Sequence, residues 1–117
     1  MLRQSTSPVS FTLARSGGAR VKAQVDIWEA TPNGWVHKGD AKFDQTTSPL
    51  ETHAVVVGKG AYTARFRCFV EEAIGGKFTF RFDVADTPTY ADAGDVNTTP
   101  KADDSRSYDD LFVLEVQ

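Results

Sequence analysis

The chain is poor in the residues that carry most protein chemistry, with one cysteine and two histidines among 117 residues. The lone Cys68 cannot form an intrachain disulfide or, unaided, a site of several thiolates. No run of 18 apolar residues is present, which excludes a membrane-spanning helix, and the first twenty residues lack the apolar stretch of a signal peptide. We therefore expect no membrane embedding and no export, and we favour the cytoplasm.

Motifs of known catalytic chemistry are also missing. There is no Gly-x-Ser-x-Gly, no His-Glu-x-x-His and no glycine-rich phosphate loop. The nearest thing to an oriented base is His53, because Glu51, two residues earlier, would share its face of a strand. Cys68, between Phe66 and Val70, is expected to be an inert core thiol. A small hydrolase that uses His53 is therefore the least favoured function.

The net charge of −3 conceals an uneven distribution. Residues 83–110 hold eight aspartates against Lys101 and Arg106, so this segment carries −6 and the rest of the chain +3. Such polarity bears on partners and solubility rather than on fold. With a pI near 5.3, we expect no nucleic-acid partner, because polyanion binding relies on a net basic field.

Alternation of apolar and polar residues recurs along the whole chain, which is the pattern of β-strands. We predict seven strands, at 8–14, 20–29, 35–43, 51–57, 61–70, 76–84 and 111–116. Short strands separated by turn signals predict an all-β fold, with residues 1–117 as a single antiparallel β-sandwich of the immunoglobulin-like or jelly-roll-like type; a small barrel is the alternative. Residues 84–110 contain two prolines and no strong β pattern, so they are predicted to form a long acidic loop before the last strand.

The stretch "GKGAYTARFRC", residues 58–68, resembles the Gly-x-Tyr corner that opens a late strand in immunoglobulin-like sandwiches. The resemblance covers about ten residues. It lacks the Tyr-x-Cys spacing of immunoglobulin domains, since Cys68 follows Tyr62 by six residues. It implies a strand that begins near Tyr62, and we infer no family membership from it.

The turn "TPNG" fixes the expected register of the hairpin around it, because a shift of one residue moves every side chain to the other face. A three- or five-residue connection built on a type I turn avoids burying charges. It places His37 on the apolar face. On the outer face it pairs Asp26 with Lys38 and Trp28 with Val36.

The two phenylalanine-rich strands are predicted to form a second hairpin, closed by a loop from Glu71 to Gly75. This register brings Phe66 opposite Phe80 in the core. It also collects four cations on one outer face as a basic stripe that suits an anion or an acidic protein surface: Arg65, Arg67, Lys77 and Arg81.

Two further sites are predicted. Trp28, exposed on the polar face, could stack on a sugar ring or anchor a protein interface, with Tyr90 contributing to the same platform. The acidic segment could gather the six to eight oxygen ligands of calcium, although it does not match the EF-hand pattern. The aspartates in question are Asp83, Asp86, Asp92, Asp95, Asp103 and Asp104.

Together these features predict a non-catalytic binding module, above all one for protein–protein interaction or assembly, with a protein partner or a second copy of the chain. The alternative is a calcium-dependent carbohydrate-binding module of the lectin type, with a glycan stacked on Trp28 or Tyr90. Calcium is the one cofactor hypothesis.

Overall fold

The computed structural model describes residues 1–98 and 105–117. This part of the chain forms nine strands: β1 Leu2–Ser5, β2 Val9–Gly17, β3 Arg20–Thr31, β4 Gly34–Phe43, β5 Leu50–Val55, β6 Gly60–Glu71, β7 Lys77–Val84, β8 Thr87–Asp95 and β9 Ser105–Val116. A single 3₁₀ turn, Val96–Thr98, follows β8. None of the described residues belongs to a helix that is long and apolar enough to cross a membrane. The all-β prediction is confirmed, and each of the seven predicted strands overlaps an observed one, whereas β1 and β8 were not predicted.

The strands form two sheets. The five-stranded sheet has the order β1-β9-β6-β3-β4, and the four-stranded sheet has the order β5-β2-β7-β8. Neighbouring strands run antiparallel except β1 and β9, which pair in parallel.

One hydrophobic core fills the space between the sheets. Its largest buried side chains include Phe11 and Phe82 from the four-stranded sheet and Phe43 and Phe66 from the five-stranded sheet. The ring centroids of Phe66 and Phe82 lie 4.6 Å apart, and those of Phe43 and Phe82 lie 5.8 Å apart. Burying one such side chain stabilises the fold by roughly 1.5–3 kcal/mol. The two sheets are therefore held face to face by an aromatic centre.

The predicted long loop before the last strand is wrong for the described residues. Residues 87–95 form β8, which pairs with β7, and β9 already begins at residue 105. A two-residue turn joins β7 to β8 through Ala85 and Asp86, both with the positive φ that a type I′ turn requires. Among the described strands β8 has one neighbour and lies at the edge of its sheet, so Pro88 is tolerated there and the strand needs no strict apolar alternation.

The predicted pairing of β6 with β7 is also wrong, because the two strands belong to different sheets. β6 lies between β3 and β9, whereas β7 lies between β2 and β8. Phe66 and Phe80 do both point inward, but they meet across the core with ring centroids 6.4 Å apart. Alternation shows which side chains point inward and does not show whether two inward faces are neighbours or opposites.

The hairpin of β3 and β4 contains a β-bulge that the predicted register did not include. Beyond the bulge Trp28 lies opposite His37, and before it Asp26 lies opposite Asp40 rather than Lys38. Both predicted pairs are therefore wrong. His37, predicted on the apolar face, lies on the outer face instead. A bulge inserts one extra residue into one strand, and this insertion reverses the side to which the following side chains point.

The strand β6 begins close to Tyr62, as the resemblance implied. The hydroxyl of Tyr62 donates a hydrogen bond of 2.6 Å to the carbonyl oxygen of Gly58. Six residues later Cys68 is buried in the core as predicted, and burial raises the pKa of its thiol to about 12, against a smaller opposing effect of Arg15.

Candidate functional site

Five apolar side chains lie on the outer face of the five-stranded sheet, the side turned away from the core. This tryptophan patch consists of Leu2, Trp28, Trp35, Leu111 and Val113. Trp35 is 60% exposed and Leu111 57% exposed, while Trp28 is half-buried. A solvated sheet face usually carries polar side chains, so an apolar patch here needs an explanation.

Strand pairing brings these side chains together. Leu2 lies opposite Val113, Val113 opposite Thr63, and Thr63 opposite Trp28, which makes one row across four strands. Leu111 is two residues before Val113 on β9 and therefore shares its face. The patch therefore arises from the pairing of several strands, and no single stretch of the sequence contains it.

The centre of the patch is an open hollow of about 360 Å³. It is lined by Trp28, Trp35, Thr63, Arg65 and Leu111. Two indole rings beside a guanidinium group are the side-chain types that most often dominate protein interfaces.

Sequence reasoning predicted Trp28 at this surface but missed the other members of the patch. The signal that could have found two of them is the run "LFVL", residues 111–114, in which apolar residues do not alternate with polar ones. Phe112 and Leu114 fill the core, so Leu111 and Val113 must point outward. A strand that is apolar on both faces indicates that both faces are covered or that one of them binds something.

Two ion pairs flank the patch on the same face. Nε and Nη2 of Arg65 donate to Oδ1 and Oδ2 of Asp109, at 3.0 and 2.6 Å. Each partner favours the charged form of the other, so the pKa of Arg65 is raised and the pKa of Asp109 is lowered. Arg67 donates to Oδ2 of Asp26 at 2.8 Å.

The predicted basic stripe does not form a single surface. Arg65 and Arg67 lie on the five-stranded sheet, whereas Lys77 and Arg81 lie on the four-stranded sheet, on the opposite side of the molecule. The stripe depended on the pairing of β6 with β7, which does not occur. Arg81 is also paired, with Asp83 at 3.0 Å.

Asp26 is the most densely hydrogen-bonded carboxylate of the outer face. It is 6% exposed and accepts hydrogen bonds from Gln24, from Arg67 and from His37, whose Nε2 lies 3.1 Å from Oδ1. Burial alone would raise the pKa of Asp26, but these hydrogen bonds outweigh it and the pKa is lowered. The ring of His37 in turn packs edge-on against Trp28, with centroids 4.8 Å apart.

The predicted calcium ligands are spread along one hairpin. Asp86 lies in the turn and Asp95 at the far end of β8, nine residues away, which is roughly 25–30 Å of extended chain. One ion cannot be bound by both, so the predicted site is wrong as a single cluster. Asp103 and Asp104 lie outside the described residues.

The other two predicted ligands have partners of their own. Asp83 accepts from Arg81, as noted above. Asp92 accepts a hydrogen bond from the hydroxyl of Tyr108 and lies 3.9 Å from Arg106. The hydrogen bond from Tyr108 lowers the pKa of Asp92, and its effect is larger than the opposing effect of partial burial. Burial and the same hydrogen bond raise the pKa of Tyr108 to about 12.

Tyr90 does not share a platform with Trp28. Its ring stacks on Phe66 with centroids 4.6 Å apart, at the margin of the core, whereas Trp28 lies on the outer face. Burial, followed by the neighbouring Asp110, raises the pKa of Tyr90. The predicted role of Tyr90 as part of a sugar-binding platform with Trp28 is therefore wrong.

His53 and Glu51 do share a face and interact. Nε2 of His53 lies 2.6 Å from one oxygen of Glu51, and the other oxygen accepts from Arg15 at 2.7 Å and from the backbone amide of Gln45 at 3.2 Å. Burial would raise the pKa of Glu51, but the hydrogen bonds from His53, Arg15 and this amide lower it. This arrangement orients the imidazole. The ring packs on Phe43 at a centroid distance of 4.9 Å, so the imidazole lies between a carboxylate and a core ring.

Comparison with known proteins adds little to these observations. No protein-family model matches the chain, and no curated protein matches it. Among solved structures, a domain of unknown function, DUF4425, from Bacteroides vulgatus ATCC 8482 is similar over 92% of this chain and 94% of its own, with 9% sequence identity and a TM-score of 0.42. A likeness of this degree supports no conclusion about function, which is therefore argued from the site alone.

Proposed function

We propose that the chain is a non-catalytic β-sandwich binding module that associates with a protein partner through the tryptophan patch, and that the partner is a second copy of the chain. The observation that carries the proposal is the exposed tryptophan patch on the outer face of the five-stranded sheet. Contiguous apolar surface of this kind typically marks an interaction site. The finer fold type, immunoglobulin-like or jelly-roll-like, stays a prediction.

The charges around the tryptophan patch favour a second copy of the chain as the partner over a partner protein whose surface is wholly acidic or wholly basic. Arg65 and Asp109, and Arg67 and Asp26, place both signs beside the patch. A twofold contact brings the same surface of both copies together, so that surface must complement itself. An apolar centre with mixed charges at its border meets this requirement, and it has the general anatomy of a protein interface.

The test is the molar mass in solution over a range of concentrations, measured by sedimentation equilibrium. We expect a rise from the monomer value of 12.8 kDa toward twice that value. Trp35→Ala should return the protein to a monomer, since truncating a central tryptophan commonly costs more than about 2 kcal/mol of binding energy. The matched control is Ile74→Ser, because Ile74 is 99% exposed but lies in the loop between β6 and β7, away from the patch.

Two outcomes would contradict the proposal. A wild-type chain that remains monomeric at millimolar concentration does not self-associate. A dimer that Trp35→Ala leaves intact and Ile74→Ser disrupts uses a different surface. Measuring the dimer affinity at raised salt separates the electrostatic contribution from the apolar one. Salt screens the ion pairs at the border of the patch, over a Debye length of about 8 Å at physiological ionic strength, but it does not screen the apolar contact at the centre.

A second candidate is carbohydrate binding, favoured by the hollow between Trp28 and Trp35. An indole face can pack on the apolar face of a sugar ring. Titration with oligosaccharides, followed by tryptophan fluorescence, tests this directly. A saturable change that is lost in Trp28→Ala supports the glycan function, and its absence across a panel of sugars argues against it. Calcium dependence remains a separate prediction, tested by thermal unfolding with calcium and with a chelator.

A further inference from the structure

A cluster of three potential metal ligands lies beside the tryptophan patch, and one of them, Asp26, also pairs with Arg67 at the border of that patch. Asp26, His37 and Asp40 each offer one ligand atom, and the three atoms lie within 4.8 Å of one another. Among the described residues no other histidine, cysteine or acidic side chains come together in this way. None of the three was predicted as a ligand.

The β-bulge of the β3–β4 hairpin creates the cluster. Regular pairing places Asp26 directly opposite Asp40, and the register shift then turns His37 back toward both. Nε2 of His37 lies 3.1 Å from Oδ1 of Asp26 and 4.0 Å from Oδ2 of Asp40. A cation placed between two carboxylates that lie directly opposite on neighbouring strands is attracted by both of them.

The spacing fits a zinc-type ion. Zinc bonds of 2.0–2.2 Å to imidazole nitrogen and carboxylate oxygen, in a tetrahedral arrangement, place ligand atoms about 3.3 Å apart. The His37–Asp26 separation of 3.1 Å is close to this value, whereas the His37–Asp40 separation is 4.0 Å, so the exposed side chain of Asp40 has to move inward to bind the same ion. Calcium prefers six to eight oxygens, so an imidazole among three ligands favours a transition metal.

The carboxylate of Asp26, the most buried of the three ligands, is already held in place by hydrogen bonds from residues outside the cluster. Gln24 donates to both oxygens of Asp26 and Arg67 donates to Oδ2, so Oδ1 remains directed at His37. Hydrogen bonds of this kind fix the geometry of metal-binding carboxylates. Asp26 is also the buried member of the set, whereas His37 and Asp40 are reached from solvent.

We propose that Asp26, His37 and Asp40 bind one divalent transition-metal ion of the zinc type. Three protein ligands leave the fourth position of a tetrahedral ion open to solvent or to a further ligand atom. The cluster itself lies next to Trp28, whose ring contacts His37. The site therefore borders the tryptophan patch without including Trp35 or Leu111, and it can exist whether or not the chain self-associates.

The experiment is calorimetric titration of the full chain with zinc chloride, at a concentration at which the protein is monomeric. We expect one ion per chain. Loss of an orienting partner typically weakens metal binding about 10- to 100-fold, so loss of a direct ligand in His37→Gln or Asp40→Asn should weaken it at least tenfold. Both substitutions are at exposed positions, and circular dichroism checks that the variants remain folded.

The matched control is His53→Gln, which removes the other histidine of the chain and should leave zinc binding unchanged. Copper(II) gives an independent readout, because an ion bound to His37 quenches the fluorescence of the adjacent Trp28. The proposal is overturned if zinc fails to bind at millimolar concentration, or if His37→Gln and Asp40→Asn bind as wild type does. Retained zinc binding in Trp35→Ala is expected and separates this site from the proposed dimer contact.

Discussion

Replacing Glu51 by glutamine should lower the free energy of unfolding by about 3 kcal/mol, the lower end of the range for breaking a buried ion pair. The side chains of Glu51 and Arg15 are each 3% exposed. Nε and Nη1 of Arg15 have no hydrogen-bond partner within the part of the chain that the structure describes, so Glu51 compensates this buried cation. Glutamine keeps the shape and an acceptor oxygen but removes the negative charge.

The assay is urea unfolding followed by circular dichroism at neutral pH, with the slope of the transition unchanged and its midpoint lowered. For a domain of this size the loss corresponds to a fall of about 12 °C in melting temperature, at about 4 °C per kcal/mol. The control is Glu71→Gln, which breaks the exposed pair of Arg20 and Glu71 and should cost less than about 1 kcal/mol. The double variant Arg15→Met with Glu51→Leu removes both charges and should recover most of the loss.

The pH dependence gives a second check. The pKa of Glu51 is lowered from its ordinary value of 4.5, and the groups that face it are Arg15, His53 and the amide of Gln45. A depressed pKa contributes stability that is present above about pH 4.5 and is lost as the pH falls through the folded-state value. The difference between wild type and Glu51→Gln should therefore shrink in acid. Equal losses in Glu51→Gln and Glu71→Gln, or a difference that grows in acid, would refute the reasoning.

Two further predictions concern single contacts of β6. Tyr62→Phe removes the hydroxyl that donates to Gly58 and should cost about 1 kcal/mol in urea unfolding; a variant as stable as wild type would show that the corner contributes nothing. Cys68, with a pKa of about 12, should resist a thiol-specific reagent at about pH 8 in the folded chain and react once urea is added. Rapid reaction without denaturant would contradict its burial.

The sequence predicted inward and outward positions better than it predicted neighbours. Trp28 was expected on the outer face and lies there, although the register that led to this expectation was wrong at the bulge. Phe66 and Phe80 were correctly predicted inward but were assigned to one sheet. The alternation that identifies an inward face is the same in adjacent strands and in strands that oppose each other, so sequence pattern alone could not separate the two arrangements.

The candidate sites were harder to predict for the same reason. The tryptophan patch depends on Leu2 and Val113 lying in one row, and the chain between them gives no local sign of that pairing. The metal cluster depends on one inserted residue in the β3–β4 hairpin, which turns His37 outward. Edge strand β8 was not predicted because its side chains are mostly exposed to solvent, so its sequence does not need to alternate between apolar and polar residues.

The order of strands in the two sheets has a kinetic consequence. Each sheet takes strands from both halves of the chain, and among the described strands β1 pairs with β9 alone. Neither sheet is therefore a continuous piece of sequence that can form ahead of the other. Folds dominated by pairings between distant segments typically fold in milliseconds to seconds. The reason is that the entropy of closing long loops is lost before the stabilising contacts form. We expect this chain to fold in one slow cooperative step.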